Sequence, residues 1–149
     1  MKRLLSIFFL SGMLMTGLAV HAQFRSIPGI VTDSFKVKYP TATEVKWTDK
    51  VTNFQATFTL DNEKYTAKYS SKGEWQSSVK NITEDKLPAV VKDGLSKSKY
   101  ADWKVGTVAI KYLPAGKVQY GIAVSKGDFN KKNLTFSSEG QLLSDSRTL

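Results

Sequence analysis

Phe54-Gln55-Ala56-Thr57-Phe58-Thr59-Leu60-Asp61-Asn62-Glu63-Lys64-Tyr65-Thr66-Ala67-Lys68-Tyr69 is the stretch that decides the fold. Phe54, Ala56, Phe58 and Leu60 alternate with Gln55, Thr57 and Thr59. That period of two belongs to a strand with one apolar face. Asp61-Asn62-Glu63 suits a tight turn, and Tyr65, Ala67 and Tyr69 then resume the alternation. The product is an antiparallel hairpin, apolar on one side and Thr, Gln and Lys on the other. Such a sheet needs a cover on its apolar face only.

The cover is predicted just upstream. Ile27, Val31, Phe35 and Tyr39 recur every four residues, which puts them on one side of a helix. Pro28 fits its first turn, where a backbone N–H would have no partner, and Pro40 ends it. Between helix and hairpin, 44–48 reads as a strand carrying Val45 and Trp47 on one side. After the hairpin, Ser71-Lys72-Gly73 turns into a short strand around Trp75, and 77–86 reads as a connector.

Downstream the plan recurs. Leu87-Pro88 opens a second helical stripe through Val90, Val91 and Leu95 towards Tyr100. Residues 103–112 and 118–124 read as strands joined by a Leu113-Pro114-Ala115-Gly116 turn. A polar loop with a lone Phe129 spans 126–132, and Leu134 and Phe136 mark a third strand. Ser138-Glu139-Gly140 then turns into a last strand at 141–143.

Three matches in the same order predict a duplication. Ile-Pro-Gly-Ile-Val-Thr-Asp from Ile27 answers Leu-Pro-Ala-Val-Val-Lys-Asp from Leu87. Lys38-Tyr39 answers Lys99-Tyr100, and Ser70-Ser71-Lys72-Gly73-Glu74 answers Ser137-Ser138-Glu139-Gly140-Gln141. The expected fold is α+β, a single domain over 23–149 made of two tandem repeats at about 27–80 and 87–149.

An opening Ile/Leu-Pro-x-x-Val, a Lys-Tyr near the helix end, Val45-Lys46-Trp47, aromatic alternating strands and Gly73-Glu74-Trp75 together resemble the PepSY-like proteins. This exported bacterial family is described as similar to β-lactamase-inhibitor protein. The resemblance spans about 27–143. It implies that each repeat is a helical segment packed on a four-stranded antiparallel sheet. It also implies a combined concave sheet surface that grips a partner, as the inhibitor grips its enzyme. The chain departs from the inhibitor in having no cysteine.

Residues 1–22 read as a secretory signal. Lys2 and Arg3 precede an uncharged run from Leu4 to Val20, and Val20-His21-Ala22 places tolerated residues where a signal peptidase reads. Cleavage after Ala22 would leave Gln23 first and put the protein in the periplasm or outside the cell. The run is short for spanning roughly 30 Å of hydrocarbon and contains Ser6, Ser11, Gly12, Thr16 and Gly17, which disfavours a retained anchor. No later segment is apolar enough to cross a membrane.

Export also bears on chemistry. The only histidine is His21, which leaves with the signal, and there is no cysteine. Nucleophilic sites that need an imidazole or thiol are therefore excluded, and a tight zinc or copper site, which normally draws on the same two residue types, is disfavoured. Gly73, Gly94, Gly106 and Gly116 stand singly, so no phosphate loop is present. No cofactor or metal is expected. Asp61 with Glu63, and Glu84 with Asp85, are the carboxylate pairs left for a hydrolase, but turn and helix-start roles explain both better.

The formal net charge of +9 comes from scattered lysines, which read as a solvated surface rather than a nucleic-acid site. Trp47, Tyr65, Tyr69 and Tyr120 fall on apolar strand phases and read as core. Trp75 and Tyr112 lie beside turns, and with Lys68 and Lys111 on the polar sheet phase they form the predicted binding patch. The expected function is a non-catalytic binding protein for a protein partner, with a small-ligand or glycan binder as the alternative and a carboxylate hydrolase third.

Overall fold

The computed structural model describes residues 26–147. The expected signal, 1–22, lies outside them. In chain order the elements are α1 (Gly29–Lys38), β1 (Thr43–Asp49), β2 (Phe54–Leu60), β3 (Glu63–Tyr69), β4 (Trp75–Ile82), a 3-10 turn (Glu84–Lys86) and α2 (Ala89–Ser96). There follow β5 (Lys104–Tyr112), a second 3-10 turn (Pro114–Gly116), β6 (Val118–Lys126), β7 (Asn130–Ser137) and β8 (Leu142–Arg147). The strands lie side by side in chain order as one eight-stranded sheet. All seven neighbouring pairs are antiparallel. The two sets of four meet at β4 and β5, paired from Ser78 with Tyr112 to Ile82 with Val108, so they form a single sheet.

Local chemistry explains the ends of the elements. The Pro28 carbonyl accepts the first α1 bonds, from the N–H groups of Val31 (3.0 Å) and Thr32 (3.3 Å). Pro88 does the same for Val91 (3.0 Å) and Lys92 (3.1 Å) at α2. The β2–β3 turn needs only Asp61 and Asn62, at φ 50° and 62°. Two successive left-handed residues match the twist of the flanking strands, and short Asp and Asn side chains tolerate that conformation. Glu63, expected in the turn, instead pairs with Leu60 as the first residue of β3.

Each helix covers its own core on one face of the sheet. Val31 and Phe35 of α1 are buried with Phe54, Ala56, Phe58, Ala67 and Tyr69. Phe35 sets its ring edge-on to Phe58, 4.9 Å between centroids, and to Trp47 at 5.4 Å. Val91 of α2 is buried with Leu87, Tyr100, Val108, Ile122, Val124, Leu134 and Phe136, a mainly aliphatic set. Each of the large side chains contributes about 1.5–3 kcal/mol by leaving water. Val90, placed by sequence on the second stripe, is instead half exposed.

Turns from the sheet lock onto both helices. Gly73 and Gly140 share φ +81°. A Cβ on Gly73 would lie 2.8 Å from the Ile30 carbonyl oxygen, and one on Gly140 would lie 2.1 Å from that of Val90. Gly94 lets α2 approach further still, since a Cβ there would meet the Gly140 carbonyl oxygen at 1.9 Å.

Two stretches differ from expectation. The connector predicted at 77–86 is largely strand, because β4 runs on to Ile82. Two successive inward positions are polar, Ser78 facing Ala67 and Lys80 facing Tyr65 across the sheet, so the apolar alternation is interrupted before Ile82 while the pairing continues. Lys80 is held there by Glu63, 2.5 Å away. The polar loop at 126–132 is mostly hairpin, with Lys126 and Asn130 already paired and Phe129 97% exposed at its tip.

Candidate binding surfaces

Strand register divides the four predicted site residues between two faces. Trp75 pairs with Tyr69, and Tyr112 pairs with Ser78, both on the side the helices cover. Lys68 lies opposite Ser77 and Gln55, and Lys111 lies opposite Val79 and Gln119, which places both lysines on the other side. Trp75 and Tyr112 come together; Lys68 and Lys111 do not join them.

Trp75 and Tyr112 line a groove of about 400 Å³ between the end of α1 and the Pro114–Gly116 turn. Tyr39, Tyr65, Lys38 and Lys117 complete the lining that bears on its chemistry. Ser78, 1% exposed, is the post behind the wall. Its hydroxyl accepts the Trp75 indole N–H at 2.7 Å and lies 2.5 Å from the Tyr39 hydroxyl. Burial pushes the Tyr39 phenol up, while its bonds to Ser78 and Trp75 pull the other way. The Lys38 ammonium sits 3.8 Å from the centroid of the Trp75 ring, within cation–π range.

Strand alternation puts Tyr65 in the core, and Tyr39 ends the α1 stripe that covers it. Both are only half buried, because they stand at the margin of their core where the chain ends its packing. Lys38, Lys117 and Ser78 were missed. Proximity to a Pro-Ala-Gly turn could have drawn notice to Lys117, whereas nothing local marks Ser78 as a buried hub.

No described residue covers the opposite face. Its centre carries short side chains: Thr66, Val79, Ala109, Ala123 and Thr135, with Gly121 between them. No long side chain stands at the centre of this face. Lys68 and Lys111 rise from it, with Lys46 and Lys64 nearer the β1 edge.

Neither carboxylate pair lines the groove. Glu63 is bound to Lys80, whose hydrogen bond holds its carboxyl below the usual range, and Asp61 stays in the exposed turn. A Thr83 hydrogen bond likewise lowers Asp85, which lies beside Glu84 on the exposed Glu84–Lys86 turn. Asp102, Glu139 and Asp145 are also held low, by Lys126, Ser138 and Tyr100 respectively. A general acid at neutral pH needs a raised carboxyl, and these shifts run the other way. Among the described residues no group of three potential metal ligands occurs, and no helix is long and apolar enough to cross a membrane.

Fold and surface define a one-sided sheet protein of the β-lactamase-inhibitor-like kind. The family model described as "Putative beta-lactamase-inhibitor-like, PepSY-like" matches residues 52–144, and the chain belongs to this PepSY-like family. Membership points to an inhibitor-like, non-catalytic binding role. Among solved structures, the chain is similar to a BLIP-like protein from Bacteroides fragilis, at 25% identity and TM-score 0.74 over 83% of this chain and 88% of that one. A DUF2874 family protein from Bacteroides ovatus matches at 24% identity and TM-score 0.76, over 82% and 88%. A protein from Bacteroides eggerthii named as "putative periplasmic" matches at 23% and 0.73, over 82% and 89%. No curated protein matches the chain.

Proposed function

We propose that this chain is a non-catalytic binding protein, exported to the periplasm or beyond, that engages a protein partner through the uncovered face of its sheet. The observation that carries the reading is the one-sidedness of the sheet. Both helices pack on the same face, and the other presents short side chains flanked by Lys68 and Lys111. A centre of short side chains with lysines beside it suits a folded partner bearing acidic groups, since complementary charge speeds and orients docking. The low-lying carboxyls and the absence of imidazole and thiol after signal removal support a non-catalytic role. Export is supported by the signal read at 1–22.

The single domain consists of two repeats, at about 27–80 and 87–149. Equivalent turns support this: Ser70 N–H donates to Glu74 O and Gly73 N–H to Ser70 O, while Ser137 N–H donates to Gln141 O and Gly140 N–H to Ser137 O. The Ser70 hydroxyl accepts from the Lys72 and Glu74 amides, as that of Ser137 does from Glu139 and Gln141.

Affinity capture from a periplasmic extract at physiological salt tests the function. Wild type should enrich one acidic protein, and the Lys68→Glu/Lys111→Glu double variant should lose it. An inhibitor-like role further requires that the captured protein lose activity when the purified chain is added. Capture unchanged by the double variant, or no enrichment by the wild type, refutes the proposal.

A further inference from the structure

We propose that the groove between the C-terminal end of α1 and the Pro114–Gly116 turn is a second site, built for a small organic anion with an aromatic body, such as an aromatic carboxylate. It lies on the helix side of the sheet, so the inference stands or falls separately from the partner surface on the other face.

The size is right for such a compound. Pockets for small ligands start at roughly 300 Å³, and this one measures about 400 Å³. Its walls are aromatic: Tyr39, Tyr65, Trp75 and Tyr112 all line it. Two of those rings are fixed in advance, because Ser78 ties the polar edges of Tyr39 and Trp75 together at 2.5 and 2.7 Å. Walls that need no ordering on binding retain more of the contact energy as affinity.

Charge decides the ligand class. The lining holds two cations, Lys38 and Lys117, and neither an acid nor a carboxamide. Among the described residues neither lysine forms an ion pair with a carboxylate. Lys38 is parked instead over the Trp75 ring, where an incoming anion can pair with it without first displacing an acid. A glycan fits less well, since sugar hydroxyls are usually met by acid and amide side chains, which this lining lacks.

The test is a titration of the signal-free chain with 2-naphthoate and with its neutral isostere 2-naphthalenemethanol, followed by two-dimensional amide NMR. Naphthoate should shift the Trp75 indole N–H and the Gly116 and Lys117 amides saturably, and bind about tenfold more tightly than the alcohol. Lys38→Met and Lys117→Met should each weaken naphthoate about fivefold or more and leave the alcohol unchanged. Lys68→Met, on the other face, should change neither. No saturable shift at millimolar naphthoate, equal affinity for the two probes, or indifference to both groove lysines overturns the proposal.

Discussion

The hydroxyl of Tyr39 lies 2.5 Å from that of Ser78, joining the last turn of the helical stripe to the middle of the sheet. The second half holds a counterpart, in which the Tyr100 hydroxyl donates to the Asp145 carboxylate. Ser78 and Asp145 each follow the serine that begins the preceding turn, Ser70 or Ser137, by the same interval. One tether is neutral and buried, and the other is charged and salt-bridged to Lys99 at 3.0 Å. The two halves therefore respond differently to mutation and to pH.

Ser78→Ala removes the shared partner of Tyr39 and Trp75 and leaves the Trp75 indole N–H and the half-buried Tyr39 hydroxyl without it. A loss of about 1–3 kcal/mol in urea unfolding is expected, together with a changed Trp75 emission in the native state. A variant as stable as wild type would show that this tether is idle.

Protonating Asp145 should weaken the second tether. Hydrogen bonds from Tyr100 and Lys99 hold its carboxyl below the ordinary value of 3.8. A carboxyl lowered by folding stabilises the protein above its unfolded pKa, and that contribution disappears as pH falls through the folded value. The unfolding midpoint should thus decline on acidification below about pH 4, and Asp145→Asn should flatten part of that decline. An identical acid profile in Asp145→Asn would contradict the assignment.

Gly140→Ala should be far more damaging than Gly116→Ala, although both positions have positive φ. At Gly116 nothing lies within 4 Å of an added Cβ, so only backbone strain of about 1 kcal/mol is incurred. At Gly140 the Val90 carbonyl stands in the way at 2.1 Å and α2 must move. A cost above about 3 kcal/mol is expected there, measured by chemical denaturation. Equal costs at the two glycines would contradict the packing described.

The Tyr69 hydroxyl is buried without a hydrogen-bond partner among the described residues, and burial pushes its phenol well up. Tyr69→Phe keeps the ring against Phe35 and Trp47 and removes the unpaired group. Stability should hold or rise by about 1 kcal/mol. A clear loss would mean that the hydroxyl is engaged in solution.

Elements whose inward side chains are apolar were legible from the sequence. The alternation through β2 and β3 shows their facing directly, because Phe54, Ala56 and Phe58 on one side leave no other period. The end of β4 was hidden for the opposite reason. Ser78 and Lys80 point inward and are satisfied by Tyr39, Trp75 and Glu63, partners that only the folded sheet brings near. The groove shares that origin: Trp75 and Tyr112 stood out beside turns, but Lys38 and Lys117 reach it from elements far apart in sequence. The polar strand phase that singles out Lys68 and Lys111 is itself the reason they face away from Trp75 and Tyr112. A sheet separates neighbours in sequence onto opposite faces.

The most direct test of the partner surface is lysine footprinting of the complex with the captured protein. Acetylation by a water-soluble reagent, read by mass spectrometry, compares each lysine in the free and bound chain. The account predicts protection of Lys68 and Lys111, with Lys38 and Lys117 as reactive as in the free protein. Protection confined to Lys38 and Lys117, with Lys68 and Lys111 unchanged, would contradict it.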